Sequence, residues 1–111
     1  MTNAKEPTVR TWTATADAEG ARNYSRYFTG TLLPALRTLP GFDGACLLRR
    51  DLDGNGTVEL TAHTFWESPA AIRAFAGDDI TVAVVEPEAR AMLLDFDRTA
   101  THRGVVADAR D

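Results

Sequence analysis

The sequence is poor in the residues that form disulfides and bind transition metals. It has one cysteine, Cys46, and two histidines, His63 and His102, among 111 residues. A single cysteine excludes an internal disulfide and a multi-thiolate zinc site, and neither histidine has a second ligand at a metal-binding spacing. Residues 51–59 match the start of a calcium loop, but the twelfth position, which needs a carboxylate, is Ala62. The sequence therefore predicts no metal site and, without any nucleotide-binding motif, no bound cofactor.

Long apolar runs and concentrated positive charge are also missing. No stretch of about 18 apolar residues occurs, so no membrane span is predicted, and the first seven residues lack the apolar core of a secretory signal, which predicts a cytoplasmic protein. The 12 basic residues are scattered among 16 acidic ones, for a net charge of −4, which favours neither nucleic acid nor membrane as a partner. With 44% hydrophobic residues, the chain predicts one domain over residues 1–111, with an ordered core from about 8 to 106.

The first third of the chain predicts a strand followed by a bent helix. Residues 8–15 are rich in β-branched and aromatic types, which suit a strand. From Ala18 to Leu39, large apolar residues recur every three or four positions, as on one face of a helix. Asp17 is placed to cap this helix, and a proline-glycine pair follows its end. Because Pro34 lies inside the pattern, we expect a kink near Gly30-Thr31.

The rest of the chain predicts a hairpin, two helices and a last strand. Asp-Gly and Asn-Gly turn signals separate two runs with strand character. Ser68 and Gly77 are placed to begin and end a helix, and a proline begins the next one. The predicted elements are strands at 42–51 and 57–66, helices at 69–76 and 87–94, and a strand at 96–106.

The order of these elements is the split βαβ pattern. It predicts an α+β, ferredoxin-like fold, in which a four-stranded antiparallel sheet carries helices on one face. The other face would be bare in a single chain, and a second copy of the chain is the simplest partner to cover it. We therefore predict a homodimer, with His63 on the dimer side of its strand.

Several aromatic residues are candidates to line a cavity between the sheet and the helices, where hydrophobic small molecules usually bind. Trp66, Trp12 and Tyr27 could enclose a flat ligand, although a domain of this size also needs large aromatics in its core. The predicted substrate-binding residues are Trp12, Tyr27, Ile72 and Phe75, and the predicted ligand is a small hydrophobic molecule.

His102 and three arginines are candidates for the polar chemistry. His102 shares its strand face with the small residues Ala100 and Gly104, which leaves room for a ligand, and histidine suits proton transfer at neutral pH. A core or rim histidine paired to a polar group explains the same pattern. Arginines that could hold an anionic oxygen, or simply balance surface acids, are Arg49, Arg50 and Arg73.

Three segments, which together span nearly the whole chain, carry a family resemblance. They are residues 33–42 at the end of the first helix, residues 65–68 with 71–75 around the second, and residues 85–96 leading to His102. These segments resemble the antibiotic biosynthesis monooxygenase superfamily. The resemblance implies a dimeric α+β barrel built on a ferredoxin-like monomer. It also implies oxygenation without a cofactor, in which a substrate carbanion reacts directly with oxygen.

The catalytic residues that the resemblance implies are only partly present. Anthrone-oxidising members place an asparagine four residues before the strand-end tryptophan and a tyrosine six residues after it. Here Trp66 and Arg73 fit that pattern, but the other two positions hold Ala62 and Ile72. Haem-degrading members add an asparagine on the first strand and a histidine on the helix after the tryptophan. Only the tryptophan of that set is found, since residues 67–95 contain no histidine.

Two functions of different classes follow. The first is a cofactor-independent, monooxygenase-like enzyme acting on a small hydrophobic aromatic or polyketide-type substrate. In it Trp66 stacks on the rings, His102 is the general base and Arg73 holds an oxyanion. The second is a non-catalytic dimeric module that binds a small ligand or a partner enzyme, which the missing asparagine and tyrosine favour. Haem binding or degradation is a third. We take the enzyme as the prediction, because the family supplies a precedent for it.

Overall fold

The computed structural model describes residues 6–52 and 54–109, which form one antiparallel sheet with helices on one face. No helix among those residues is long and apolar enough to cross a membrane. In chain order, the elements are β1 (Thr8–Asp17), α1 (Ala18–Tyr27), a π-helical segment (Phe28–Leu32), α2 (Leu33–Leu36), β2 (Phe42–Asp51), β3 (Thr57–Trp66), α3 (Pro69–Ala76), α4 (Pro87–Arg90), β4 (Asp95–Phe96) and β5 (Thr101–Gly104).

The strands lie in the order β2-β3-β1, and β4 and β5 both pair with the other edge of β1. β4 pairs with residues 14–15 and β5 with residues 8–11, so two short strands share the fourth place in the sheet. All four pairings are antiparallel. This topology confirms the predicted α+β, ferredoxin-like fold, and β2 and β3 occupy the predicted ranges.

The two faces of the sheet differ in burial. Along β3, buried and half-buried residues alternate without a break, because successive side chains point to opposite faces. The buried residues of β3 lie under the helices, together with Arg10 and Trp12 of β1, their neighbours in the register. His63 lies on the other side, as predicted. We call that side the open face; its central residues are Val9, Thr11, Thr13, Cys46, Leu48, Thr61, His63 and Phe65.

Two groups of buried side chains form the core. The larger group joins α1 to the middle of β1 and β3 and includes Tyr24, Tyr27 and Phe28. The smaller group consists of Leu36, Trp66 and Ile72, which are its fully buried members. Each of these three side chains is at most 1% exposed, so the smaller group fixes α2 and α3 against the end of β3.

Pro34 changes the helical hydrogen bonding where a kink is predicted. The segment Phe28–Leu32 is π-helical, and the Leu33 N–H donates to the Phe28 carbonyl, five residues back. Proline has no N–H, and its ring would clash with the carbonyl of Gly30 in a regular α-helix. The wider π turn relieves this conflict and lets the chain continue as α2.

The predicted helix caps are present. The Asp17 carboxylate accepts the Gly20 N–H at 2.7 Å, and the Ser68 hydroxyl accepts the Ala71 N–H at 3.2 Å. Gly77 ends α3 with a φ of +85°, a left-handed conformation that favours glycine. These local signals placed the helix starts correctly.

Two predicted helix ends are wrong. The first helical run ends at Leu36 rather than Leu39, because the Leu39 N–H bonds three residues back, to Leu36, in a tighter turn. α4 ends at Arg90 rather than Leu94. The Leu94 N–H instead donates to the Thr15 carbonyl at 2.8 Å, so pairing with the edge of β1 replaces the helical bonds.

The predicted strand at 96–106 is also wrong, since two short strands with a break between them occupy this stretch. In the break the chain pairs with residues 77–86, the connecting loop between α3 and α4. The Ala83 N–H donates to the Arg98 carbonyl at 3.0 Å, and the Ala100 N–H donates to the Thr81 carbonyl at 2.8 Å. The loop therefore lies against the sheet edge and closes one side of the space under the helices.

Candidate functional site

Arg10 is a charged residue buried on the helix side of β1, with 4% of its surface exposed. Its Nη1 donates to the Ile80 carbonyl and to Nε2 of His102, the latter at 3.0 Å, and its Nη2 donates to the Val82 carbonyl at 2.9 Å. The guanidinium carbon lies 5.6 Å from the centre of the Phe75 ring, a cation–π distance. Arg10 thus ties the connecting loop to the sheet.

No carboxylate pairs with Arg10 among the described residues, where the ion pairs are Arg49–Asp51 and Arg50–Glu59 on the sheet surface. Burial lowers the pKa of the Arg10 guanidinium from its ordinary value, but an arginine remains protonated at neutral pH. A buried charge is costly without a counter-charge. Arg10 is therefore a positive centre to which an anionic group would bind favourably.

A cavity of about 40 Å³ lies beside Arg10, between the sheet and the first helical run. We call it the inner cavity. Its wall is mostly aromatic and aliphatic, with the guanidinium of Arg10 and the hydroxyl of Thr64 as polar groups from the sheet. The lining residues are Arg10, Trp12, Ala62, Thr64, Tyr24, Phe28, Leu32, Leu36, Phe75 and Val84.

Thr64 is held in place by Trp66. The indole N–H of Trp66 donates to the Thr64 hydroxyl oxygen at 2.8 Å. Because that oxygen accepts a bond from the tryptophan, the hydroxyl hydrogen is the part of Thr64 that is left to donate elsewhere. Trp66 thus acts on the inner cavity through Thr64 rather than by lining it.

A cleft of about 290 Å³, the outer cleft, adjoins the inner cavity. Tyr24, Leu32, Phe75 and Val84 line both spaces, so a ligand longer than the inner cavity can extend from one into the other. Further residues along the outer cleft are Tyr27, Thr31, Ala35, Val85, Glu86 and Ala89.

The two tyrosines of these walls are neutral phenols. Burial, and then the neighbouring Tyr27, raise the pKa of Tyr24 above its ordinary value. Burial raises the pKa of Tyr27 as well, with smaller contributions from Glu86 and Glu88. Both groups can donate a hydrogen bond at neutral pH, and neither supplies a phenolate that could act as a base.

His102 lies behind Arg10 rather than in the cavity wall. Because arginine has only donors, Nε2 of His102 must accept the bond from Arg10 and carries no proton. Burial, and then the Arg10 charge, lower the pKa of His102 from its ordinary value of 6.5. The imidazole is therefore neutral, and its one lone pair faces a cation instead of a substrate.

We expect the protein to lose stability as the pH falls from about 7 to about 5, with His102 causing part of the loss. Because its pKa is lowered in the folded state, the unfolded chain takes up this proton first, and unfolding becomes easier as the pH falls. Urea unfolding across this range should show a weaker pH dependence in His102→Gln, which keeps an acceptor for Arg10 but does not titrate. An unchanged pH dependence in the variant would contradict the neutral state of the half-buried His102.

No family model and no curated protein matches the chain. Solved structures do match. A Bacillus cereus protein named as an antibiotic biosynthesis monooxygenase has a TM-score of 0.65, with 17% identity over 96% of this chain and 99% of its own. A haem-degrading protein of Mycobacterium tuberculosis has a TM-score of 0.62, with 21% identity over 96% of this chain and 99% of its own. A dimeric ferredoxin-like protein from an uncultured marine organism has a TM-score of 0.56, with 10% identity over 94% of this chain and 100% of its own.

This chain shares the α+β, ferredoxin-like fold of these solved proteins. The coverage of nearly the whole chain confirms the ferredoxin-like monomer fold that the sequence resemblance implies. At identities of 10–21% the likeness is one of fold, and fold alone does not determine the reaction.

Within this fold, the predicted substrate-binding residues separate into two groups. Trp12 and Phe75 line the inner cavity, and Tyr27 and Phe75 line the outer cleft. Ile72 lies in the core with 0% exposure, packed in one cluster with Trp66. Of the two tryptophans, Trp12 thus lines the inner cavity and Trp66 fills the core.

The predicted catalytic residues are not gathered at the cavity. Trp66 is 1% exposed and packs against Phe42 and Phe75, with ring centres 5.3 and 6.2 Å away. His102 faces Arg10, and Arg73 is exposed on α3. Their catalytic roles stay predictions without support from this geometry.

Arg10 is the residue that the sequence interpretation missed. The strand alternation that places Trp12 under the helices also places Arg10 there, two positions earlier on the same face. Reading β1 for its polar residues as well as its aromatic ones would have identified it. Its hydrogen-bond partners lie 70 or more residues away along the chain, so no local pattern predicts them.

Proposed function

We propose that the protein is a cofactor-independent, monooxygenase-like enzyme that acts on a small hydrophobic aromatic compound, of polyketide type, bound in the inner cavity and outer cleft. The observation that carries the proposal is the aromatic space beside a buried arginine that lacks a carboxylate partner among the described residues. The fold shared with a protein named as a monooxygenase supports it.

The aromatic walls would hold a flat substrate by ring contacts. Trp12, Tyr24 and Phe28 form one connected wall, with ring centres 6.0 Å apart between the first two and 6.4 Å between the last two. Such pairs prefer tilted or edge arrangements and leave ring faces or edges available to a ligand. Binding there removes the substrate from water and fixes its orientation toward the sheet.

The proposed reaction converts a methylene group next to an aromatic ketone into a second carbonyl. The substrate loses one proton, and the charge that develops on its ketone oxygen is stabilised by a positive group in the low-dielectric cavity. The resulting carbanion combines with molecular oxygen to form a peroxide, which takes up a proton and loses water. In balance, one methylene group and one molecule of oxygen give one carbonyl group and one molecule of water, so the carbon is oxidised and the oxygen is reduced.

The proton must leave toward the outer cleft. No histidine or carboxylate lines the inner cavity, within the part of the chain that the structure describes. Glu86 is the carboxylate in the wall of the outer cleft, and we propose it as the proton acceptor in place of His102. A carboxylate can act in this way when the substrate methylene group is acidic.

An oxygen electrode tests the reaction. We expect the protein, purified without added cofactor, to accelerate oxygen uptake with 1,8-dihydroxyanthrone and to form one molecule of the anthraquinone for each molecule of oxygen consumed. Product formation followed by absorbance provides the second readout. Binding of the anthrone without oxygen uptake above the uncatalysed rate would contradict an oxygenase and support a binding protein.

A non-catalytic ligand-binding protein is the second candidate, and one observation favours it. The lone pair of His102, the predicted base, is occupied by Arg10. The inner cavity could then hold a hydrophobic ligand without any group to start its chemistry. Such a protein would bind the anthrone and slow its spontaneous oxidation.

We also propose that two copies of the chain pair through the open face. Leu48 is 46% exposed there, and Cys46 and Phe65 are half-buried neighbours in the sheet. Exposed apolar side chains grouped on a sheet face mark an interaction site, and a two-fold dimer covers them with the same face of a second copy. A solved protein of the same fold is dimeric.

A further inference from the structure

We infer that Arg10 and Thr64 form a binding site for one ionised oxygen of the substrate, so that the inner cavity selects aromatic compounds carrying an acidic hydroxyl or a carboxylate over neutral ones. This inference rests on the ligand cavity of the proposed function. It adds the chemical class of the ligand and the two residues that select it.

The strand register brings the two groups together. Arg10 of β1 and Thr64 of β3 are directly opposed partners in the antiparallel pairing. Such partners have Cβ atoms about 4.5–5.5 Å apart and lie on the same face. Both are at least nine-tenths buried, and both line the inner cavity. One oxygen atom between them could accept hydrogen bonds from both.

Arg10 has donors left for such an oxygen. Two of the five guanidinium N–H groups, on Nη1, point to the Ile80 carbonyl and His102, and one on Nη2 points to the Val82 carbonyl. The two that remain without an acceptor among the described residues are one on Nε and one on Nη2. These adjacent nitrogens are a pair that binds a carboxylate through two parallel bonds.

The position of both donors is fixed before a ligand arrives. The connecting loop, His102 and the Phe75 ring hold the guanidinium, and the Trp66 indole holds the Thr64 oxygen. Donors that are already fixed give more affinity per hydrogen bond, because the entropy lost in ordering their side chains is lost on folding and not on ligand binding. An anion would also supply the counter-charge that Arg10 lacks in the described part of the chain.

A purely structural role for Arg10 makes a different prediction. If Arg10 only ties the connecting loop to the sheet, the charge of a ligand has no effect on its affinity. Two ligands of matched shape therefore separate the two roles. 2-Naphthoate is ionised at pH 7.5, and 2-naphthalenemethanol is a neutral molecule of nearly the same size.

Isothermal titration calorimetry of the unaltered protein at pH 7.5 gives the first result. We expect 2-naphthoate to bind at least about tenfold more tightly than 2-naphthalenemethanol, the factor that one hydrogen bond to a charged group supplies. Equal affinity for the two would overturn the inference and leave the cavity standing. Binding of neither would overturn the ligand cavity of the proposed function as well.

Variants assign the preference to the two residues. Arg10→Met keeps the length of the side chain and should bring the two affinities together, whereas Arg10→Lys should keep part of the preference. Thr64→Val should weaken 2-naphthoate binding several-fold with little change for 2-naphthalenemethanol. Thr64→Ser keeps the hydroxyl and should bind 2-naphthoate as tightly as the unaltered protein. A full preference in Arg10→Met would overturn the assignment. If that variant does not fold, the Thr64→Val and Thr64→Ser pair decides, because an unchanged preference in Thr64→Val overturns the two-residue site.

Discussion

Replacing Trp66 with alanine is expected to lower the free energy of unfolding by about 3–5 kcal/mol, the usual cost of deleting a large aromatic side chain from a core. Trp66 is 1% exposed and packs with Leu36 and Ile72. Its loss would empty the space between α2, α3 and the end of β3, and it would remove the donor that holds Thr64. Urea unfolding monitored by circular dichroism measures the change.

Trp66→Phe is the matched variant. It keeps an aromatic ring in the core and loses the indole bond, so we expect a smaller cost of about 1–2 kcal/mol. If Trp66 instead stacked on a substrate, either variant would lose little stability and much of its ligand binding. A cost below about 1 kcal/mol for Trp66→Ala would contradict the core position of this residue.

Replacing Leu48 with glutamate is expected to convert the proposed dimer into monomers. In a two-fold dimer through the open face, one substitution buries two carboxylates in the interface, one from each copy. Burying unpaired charges costs several kcal/mol, so the dimer should weaken by a factor of at least about 100. Sedimentation equilibrium should give twice the mass of the chain for the unaltered protein and the mass of one chain for the variant.

Ala74→Glu is the control, because Ala74 is exposed on α3, which packs against the opposite face of the sheet. It introduces the same charge and should leave the dimer intact. A monomeric unaltered protein would contradict the dimer. A dimer that survives Leu48→Glu would show that another surface joins the two copies.

The central hairpin and the helix starts could be predicted from sequence because their signals are local. Two turn dipeptides separate β2 from β3, and the alternation of apolar residues fixes which face of β3 is buried. Asp17 and Ser68 bond to backbone groups three residues away. Interactions of this range are contained in a short stretch of sequence.

The C-terminal third could not be predicted in the same way, because its structure depends on distant partners. The hydrogen bond from the Leu94 N–H to the Thr15 carbonyl replaces a helical bond and ends the helical pattern there. The connecting loop forms hydrogen bonds with the backbone of Arg98 and Ala100. The local pattern of residues 87–106 contains no sign of these contacts. Hydrogen bonds to the edge of β1, about 80 residues away in the sequence, replaced the helical bonds that the local pattern predicts.

The candidate site was predicted in its location and only partly in its residues. A cavity between the sheet and the helices, with Trp12, Tyr27 and Phe75 in its walls, is where the aromatic pattern placed it. Trp12 lines the inner cavity, as predicted, whereas Trp66 fills the core instead of facing a ligand. Arg10 was missed, because an arginine on a strand is usually solvated, although the alternation that places Trp12 under the helices places Arg10 there as well.

The absence of two residues implied by the family resemblance has a physical consequence. Ala62 lines the inner cavity and presents a methyl group where anthrone-oxidising members have an amide. Ile72 lies in the core and replaces their tyrosine. The hydrogen bonds that those residues would make to a substrate oxygen are therefore unavailable. In the proposed reaction, Arg10 of β1 and Thr64 of β3 donate hydrogen bonds to the substrate oxygen instead.

The most direct test asks whether the inner cavity is where the reaction takes place. Oxygen uptake with 1,8-dihydroxyanthrone is measured for the unaltered protein, for Ala62→Leu, which fills the inner cavity, and for Ala74→Leu, which makes the same change on the outside of α3. We predict that Ala62→Leu reduces the enzymatic rate at least about tenfold, since the larger side chain excludes the substrate from the cavity, and that Ala74→Leu keeps it. An equal rate in all three proteins would contradict the assignment of this cavity as the site.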